Sequence, residues 1–341
     1  MSKNILIVGQ GLAGTLLSYE LIKAGCSVNV MEADLPNSAS SVAAGLINPI
    51  TGRRVVKSSM IDTLLPVAKS TYQDLEKLLG VQIWHERNIL WLHDSEKEHN
   101  EWVARCGAED LKPFIAYPAD DSAAKPYLKP YFDSGEVHQS AQVDIQTLVR
   151  AYKRYLIDNQ IFVNTNGRKD YHNIVDKAYD LVIFCRGYWD SEHPLFGELP
   201  WQSSKGEALT IALKDAQFSK IIKQNITIIP MSNDTYWAGS NYNWTLDSLL
   251  PTEEMALEMK GQLDDLLNSD YEILAHKAAI RPTNKHRVPM IGFHPYESKY
   301  GIFNGLGSKG TSLAPYWAAH FASHITQKTP LDPLVNVAQW L

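Results

Sequence analysis

The sequence is poor in cysteine. Three thiols, Cys26, Cys106 and Cys185, are scattered through 341 residues without a C-x-x-C. That count and spacing read as reduced thiols in a cytoplasm and speak against a zinc ribbon. Long apolar runs are lacking too: no segment approaches ~20 consecutive apolar residues, so no membrane-spanning helix is expected. The apolar start of the chain is broken early by Gly9, Gln10 and Gly11, unlike a secretory leader. Positive charge is not in excess. With 32 basic and 38 acidic residues the net charge is -6, which gives no global attraction for nucleic acid or anionic lipid. G-x-S-x-G is absent, which argues against a serine hydrolase. H-E-x-x-H is absent as well. His320 and His324 have the i, i+4 spacing of a metal pair, but no nearby acid supports them and no metal site is expected. No solenoid repeat or low-complexity tract is present.

What is there is ordinary globular composition, 45% hydrophobic and 21% charged, over a length that implies two domains or one with a large insertion. Ile5–Val8 is a continuous apolar run, as in a strand buried on both faces of a parallel sheet. Leu12, Leu16, Leu17 and Leu21 follow at helical spacing, and Gly25 suits a left-handed cap. Val28, Val30 and Met31 then lead to Glu32. Residues 60–79 read as a helix that Pro66 should kink or split. Residues 112–131, with four prolines, read as irregular. Helices are expected over 143–159 and 252–268, the latter capped by Thr252. Residues 179–187 read as a buried strand, and 226–230 and 235–242 as antiparallel strands. The run 93–102 reads as a solvated helix face.

Gly9, Gly11 and Gly14 form G-x-G-x-x-G between the first strand and the helix that Leu12 and Ala13 open. The first glycine permits a tight turn, the second the approach of a pyrophosphate, the third close helix–strand packing. Phosphates would meet N–H groups at the positive helix end. Glu32, about 20 residues on at the end of the second strand, suits ribose hydroxyls. This fingerprint serves NAD and FAD alike. A second G-x-G-x-x-G, Gly305 to Gly310, has too little chain after it for another nucleotide fold. It places N–H groups and a helix start near Thr311 beside an electron-rich ligand atom. The N1–C2=O edge of a reduced flavin carries such charge, whereas a nicotinamide accepting hydride does not. A simple glycine turn before the last helix is the equal alternative.

Taken together, these motifs resemble the FAD-dependent D-amino-acid oxidase superfamily, which includes glycine oxidase, sarcosine oxidase and D-amino-acid dehydrogenase. The resemblance runs through residues 8–34, the "SSVAAGLINPITG" segment at 40–52, "YDLVIFCRGYW", "SSKGEALTI", "AAIRPTNKHRVPMIG" at 278–292 and "FNGLGSKGTSLAPYWAAHFA". Within it, "GLINP" and "GLGSKG…AP" look like the oxidase domain of the bifunctional enzymes that make 5-methylaminomethyl-2-thiouridine in tRNA. The resemblance implies a doubly wound parallel FAD-binding sheet (1–85, 141–200 and 276–341) with an inserted antiparallel-sheet substrate domain (86–140 and 201–275), an α/β plus α+β architecture. It implies that Gly9, Gly11, Leu12, Ala13, Gly14, Glu32, Ala44, Gly45, Gly187, Gly305, Gly307, Ser308, Lys309, Gly310 and Thr311 surround FAD. Some sarcosine oxidases attach flavin through a cysteine near the C-terminal loop; none stands there, so non-covalent FAD is expected.

The activity it implies is oxidation of a C–N bond of an amino acid or N-substituted glycine by hydride transfer to flavin N5, with hydrolysis of the imine. The flavin carries the chemistry, so no acid–base triad is required. Substrates of the family carry a carboxylate. Arg281, before Pro282, matches its carboxylate-binding arginine, and a guanidinium fork is the geometric partner of such a group. Lys309 either faces the flavin, where it would assist oxygen reduction, or points to solvent. Alternate members of Tyr236, Trp237, Tyr242 and Trp244 either line the pocket or pack elsewhere. Two basic clusters, Arg53–Arg54–Lys57 and Lys285–His286–Arg287, are either scattered surface charge or an anion-attracting mouth. Activity on a glycine-like group of tRNA, a quinone-linked dehydrogenase and a non-catalytic flavin protein stand as alternatives.

Overall fold

The computed structural model describes residues 3–32, 38–52, 54–164, 179–231, 234–246 and 248–341. The strand Asn4–Val8 is buried along four of its five residues. It takes parallel neighbours on both sides, Ser27–Glu32 and Leu181–Phe184. Parallel pairing extends to Phe162–Asn164 on one side and Tyr300–Asn304 on the other, and Met290–Phe293 closes that edge antiparallel. Alternate residues face opposite ways. Ile5 and Ile7 join a core with Leu16 and Leu17 of the helix Leu12–Lys23, Leu148 of Ile145–Asp158 and Phe321 of Gly310–Gln327. Leu6 and Val8 face Phe196, Leu199 and Val337 instead.

A second, eight-stranded sheet runs in the order Tyr271–Arg281, Ser204–Leu213, Thr235–Gly239, Thr227–Pro230, Ile221–Lys223, Ile89–His93, Asp133–Val137, Ile115–Ala116. Only Ile221–Lys223 with Ile89–His93 is a parallel pair in it. The helix Glu253–Leu266 covers one face, where Met259 and Leu263 pack with Leu209, Ile211 and Ile228. The other face carries Ile89, Ile221, Ile229 and Trp237 into the core of the first sheet's helices. The chain is therefore a mixed α/β fold in which a parallel and an antiparallel sheet share one core.

Several local expectations are corrected. The run 60–79 is not split at Pro66, which lies inside one helix, Ile61–Leu79. A proline in the second turn forfeits a single N–H, the one that would reach Asp62, and its fixed φ is already helical. The run 93–102 is not one solvated face. His93 ends a strand and is 1% exposed, and Trp102 is equally buried. The helix begins only at Glu96, after Ser95. Ser95 Oγ accepts from Glu98 N, and the Glu98 carboxylate accepts from the N–H of Asp94, one residue before the cap. Thr252 precedes its helix, Glu253–Leu266, but its side chain makes no cap. Its hydroxyl donates to Glu207. The helix expected over 143–159 is Ile145–Asp158, with Asp144 as its cap on Thr147 N. The strand expected over 235–242 stops at Gly239.

Candidate functional site

Gly9 and Gly14 of the first loop sit where nothing larger fits. A Cβ on Gly14 would stand 1.8 Å from the Gly9 carbonyl oxygen, and one on Gly9, whose φ is +108°, would stand 2.5 Å from that of Cys185. The loop is thus folded tightly onto the strand ends. Gly11 precedes the helix without a side-chain cap. The Leu12 N–H donates to Ser40 Oγ at 2.9 Å. Glu32 ends its strand beside the loop, and its Oε2 accepts from Gln10 N at 2.6 Å. Strand, turn, helix start and acid therefore converge: the Ala13 and Gly14 N–H groups lie in the first turn of the helix, and the Glu32 carboxylate stands at the next strand's end. Ser40 was missed by motif reasoning, because it lies 28 residues beyond the helix start it touches.

Other expected segments end at the same edge. Gly45 has φ +73°, and a Cβ there would stand 1.8 Å from Val143 O. The neighbouring Ala44 carbonyl accepts from Gln142 Nε2. Gly187 and Gly305 have φ of +61° and +72°. Their loops are tied by Asn304, whose Nδ2 donates to Gly187 O and to Asp190 Oδ2, both at 2.8 Å. Asp190 is fully buried and accepts from Arg186 N (3.0 Å) and Nε (2.7 Å). Burial raises the Asp190 pKa, against the pull of Arg186. The second glycine loop continues through Gly307 and Ser308 to a helix that starts at Gly310, with Thr311 buried in its first turn. A Cβ on Gly310 would lie 3.4 Å from Leu12 Cδ2, so the starts of the first and last helices are side by side. Lys309 is exposed, yet its ammonium reaches Ser58 Oγ at 3.4 Å, and desolvation there lowers its pKa.

Arg281 ends the strand Tyr271–Arg281 at the edge of the antiparallel sheet, opposite Ser204. Its guanidinium lies over Gly206, where a Cβ would stand 2.0 Å from Nη2. Nη2 donates to Ser240 Oγ (2.6 Å) and Asn241 O (3.1 Å), and Nη1 to Lys205 O (3.3 Å). The Tyr242 ring stacks on it, with 4.3 Å from Cζ to the ring centroid. All its partners among the described residues are neutral oxygens or a ring. Burial lowers its pKa, but a guanidinium remains charged at any physiological pH.

The aromatic residues divide. Tyr236 is core, and its hydroxyl accepts from Phe218 N. Trp237, on the opposite face, donates to Val42 O at 2.9 Å. Tyr242 and Trp244, both exposed, are stacked, with centroids 6.4 Å apart. Arg53 lies outside the described residues. Arg54 is exposed, whereas Lys57 is paired with Asp62 at 2.6 Å. Lys285, His286 and Arg287 are exposed, with His286 stacked on Trp340. His320 Nε2 accepts from Asp332 N and His324 Nδ1 lies 2.7 Å from Thr329 O, so both rings are engaged by the backbone. No group of metal-ligating side chains occurs among the described residues, and no described helix is long and apolar enough to cross a membrane.

Comparison with known proteins bears on this site. Residues 4–324 match the family model of FAD dependent oxidoreductases. A glycine oxidase of Bacillus licheniformis is 23% identical, over 92% of this chain and 90% of its own. The tRNA 5-methylaminomethyl-2-thiouridine biosynthesis bifunctional protein MnmC of Campylobacter jejuni subsp. doylei is 21% identical, over 85% of this chain and 46% of that protein. Among solved structures, iminodiacetate oxidase from Chelativorans sp. BNC1 superposes with a TM-score of 0.78 at 18% identity, over 97% of both chains.

Proposed function

The chain belongs to the FAD dependent oxidoreductase family, and from that premise we propose that it oxidises the C–N bond of a small amino acid or N-substituted glycine. The observation that carries this reading is Arg281, a sheltered guanidinium whose partners among the described residues are all uncharged. A relative that is a glycine oxidase and a structural neighbour that is an iminodiacetate oxidase support it, since both names denote amines bearing carboxylates.

In this reading Arg281 takes the substrate carboxylate through the N–H groups of Nη1 and Nε that no described partner uses, both N–H groups of Nη2 being donated to Ser240 and Asn241. Tyr242, stacked on the guanidinium, keeps it planar to the substrate and excludes water from one side. Residues 1–85, 141–200 and 276–341 form the cofactor domain, and 86–140 and 201–275 the substrate domain. Gly9, Gly11, Leu12, Ala13 and Gly14 receive the pyrophosphate and Glu32 a ribose. Ala44, Gly45, Gly187 and the segment Gly305, Gly307, Ser308, Lys309, Gly310, Thr311 border the ring system. FAD, when bound, supplies the acceptor for the hydride that leaves the carbon next to the amine. In this reading the cofactor is held without a covalent bond, since no cysteine stands in the loop Gly305 to Gly310. The substrate amine must lose its proton before hydride leaves, and water then hydrolyses the imine.

The test is the visible spectrum of the purified protein during anaerobic addition of glycine, N-methylglycine, iminodiacetate and both enantiomers of alanine and proline. Bleaching of the flavin band by one of them is the expected result and identifies the substrate class. A band unchanged by all of them would overturn the small-molecule reading and turn attention to glycine-like groups on tRNA.

A further inference from the structure

The strand Ser204–Leu213 holds Arg281 on one face and a buried ion pair on the other. Side chains alternate along a strand, so Gly206 lies under the guanidinium while Lys205 and Glu207 point the opposite way. Both are about as buried as a core leucine, Lys205 at 2% and Glu207 at 1% exposure. The Glu207 carboxylate is fully engaged. Lys205 Nζ lies 2.8 Å from Oε1 and His276 Nε2 lies 2.9 Å from Oε2. Thr252 donates its N–H to Oε2 at 2.8 Å and its hydroxyl to Oε1 at 3.0 Å. A buried pair of this kind contributes little net stability against an apolar pair of the same size, so its effect lies in what it holds in place.

What it positions is the segment that leaves the sheet after Gly239 and re-enters a helix after Thr252. Each described anchor of that segment to this strand falls on Lys205 or Glu207, through their backbones at Asn241 and Asn243 and through their paired side chains at Leu250 and Thr252. The backbones of Lys205 and Asn243 exchange two hydrogen bonds, at 2.8 and 3.0 Å. Glu207 N donates to Asn241 Oδ1 at 3.0 Å, Lys205 Nζ donates to Leu250 O, and Glu207 holds Thr252. The same segment supplies Ser240 Oγ, the Asn241 carbonyl and the Tyr242 ring to Arg281. We propose that Glu207 is a positioning residue for substrate-carboxylate recognition: with Lys205 it fixes the 240–252 segment, and thereby the three groups that aim Arg281. The inference rests on the reading of Arg281 as the carboxylate receptor.

The test is calorimetric titration of the flavin-loaded protein with methoxyacetate, an unreactive carboxylate, and with its neutral amide. The readout is the ratio of the two affinities, which a general loss of structure would not change selectively. Glu207→Gln is expected to lower the carboxylate-to-amide ratio by about ten- to a hundredfold, as misalignment of a fixed binding group does. The double replacement Lys205→Met with Glu207→Leu, which keeps the interior apolar and folded, is expected to lower it as well. A ratio unchanged in both variants, while Arg281→Ala abolishes it, would overturn the positioning role and leave the receptor intact. A ratio unchanged in Arg281→Ala would overturn the receptor itself. Equal losses for both ligands in both Glu207 variants would reduce Glu207 to a structural residue.

Discussion

Gly206 and Arg281 are in contact with no room between them: a Cβ on residue 206 would stand 2.0 Å from the guanidinium Nη2. The glycine is what lets a long cationic side chain lie flat on the sheet. Gly206→Ala is therefore expected to expel the guanidinium from its place between Ser240, Asn241 and Tyr242. The KM for the amine substrate should rise by about a hundredfold, the size of effect that a misplacement of about 1 Å produces. Global stability should fall by only about 1–3 kcal/mol, the usual cost of overpacking. Anaerobic flavin bleaching and a thermal unfolding curve measure the two effects separately. An unchanged KM would remove Arg281 from the substrate site.

The nucleotide loop makes a stricter demand. Gly14 lies beneath the Gly9 carbonyl, with 1.8 Å available to a Cβ. That atom is backbone, so it cannot move without moving the strand end. Gly14→Ala is expected to give a protein that loses its yellow colour on desalting and unfolds at lower urea, by about 3 kcal/mol. The flavin-to-protein absorbance ratio is the measurement. Full retention of flavin would show that the loop does not carry the cofactor.

How much of this was readable beforehand depends on the distance along the chain. The first loop, its helix and Glu32 are local, set by glycine spacing and by apolar periodicity within some thirty residues, and they stand where the spacing put them. Arg281 was found by its motif, but its surroundings were not, because its three oxygen partners lie 40 to 76 positions away. Thr252 looks like a helix cap to any local rule, yet a buried carboxylate from a distant strand takes its hydroxyl. Trp102 sits in a run of charges, yet the glycine at 135 leaves space for the indole, and Trp91, His93 and the Ala116 carbonyl, all on other elements, receive it. Pro66 reads as a break because local rules weigh the lost N–H and not the packing of Ile61, Leu64, Ala68 and Tyr72 on either side of it.

Asp190 joins the ends of two strands of the parallel sheet. It is inaccessible to solvent and receives Arg186 and Asn304 together. Asp190→Ala leaves a guanidinium and a carboxamide without this acceptor in the interior. The expected loss is about 3–5 kcal/mol, the usual result of removing one member of a buried pair. Asp190→Asn keeps an oxygen for Asn304 and should lose less. Urea midpoints give the order, and equal stability of the unaltered and alanine proteins would contradict it.

Lys223 carries the clearest pH signature. It shares a sheet face with Trp91, its partner across the strand pair, and its ammonium stands 3.1 Å from the indole centroid. Burial brings its pKa from 10.5 down to about 7. Between those two values the unfolded chain binds a proton that the folded protein does not. The contribution of this group to stability therefore rises with pH through that window. Below about pH 7 the folded protein must also hold the charged amine, and the desolvation cost is then fully present, offset in part by about 1–2 kcal/mol from the indole face. Lys223→Met keeps the aliphatic volume and removes the charge. It should raise the unfolding free energy by about 1–3 kcal/mol near pH 6.5 and by much less near pH 10. Thermal unfolding at the two pH values decides it: a gain equal at both would mean that Lys223 is hydrated and titrates as an ordinary lysine.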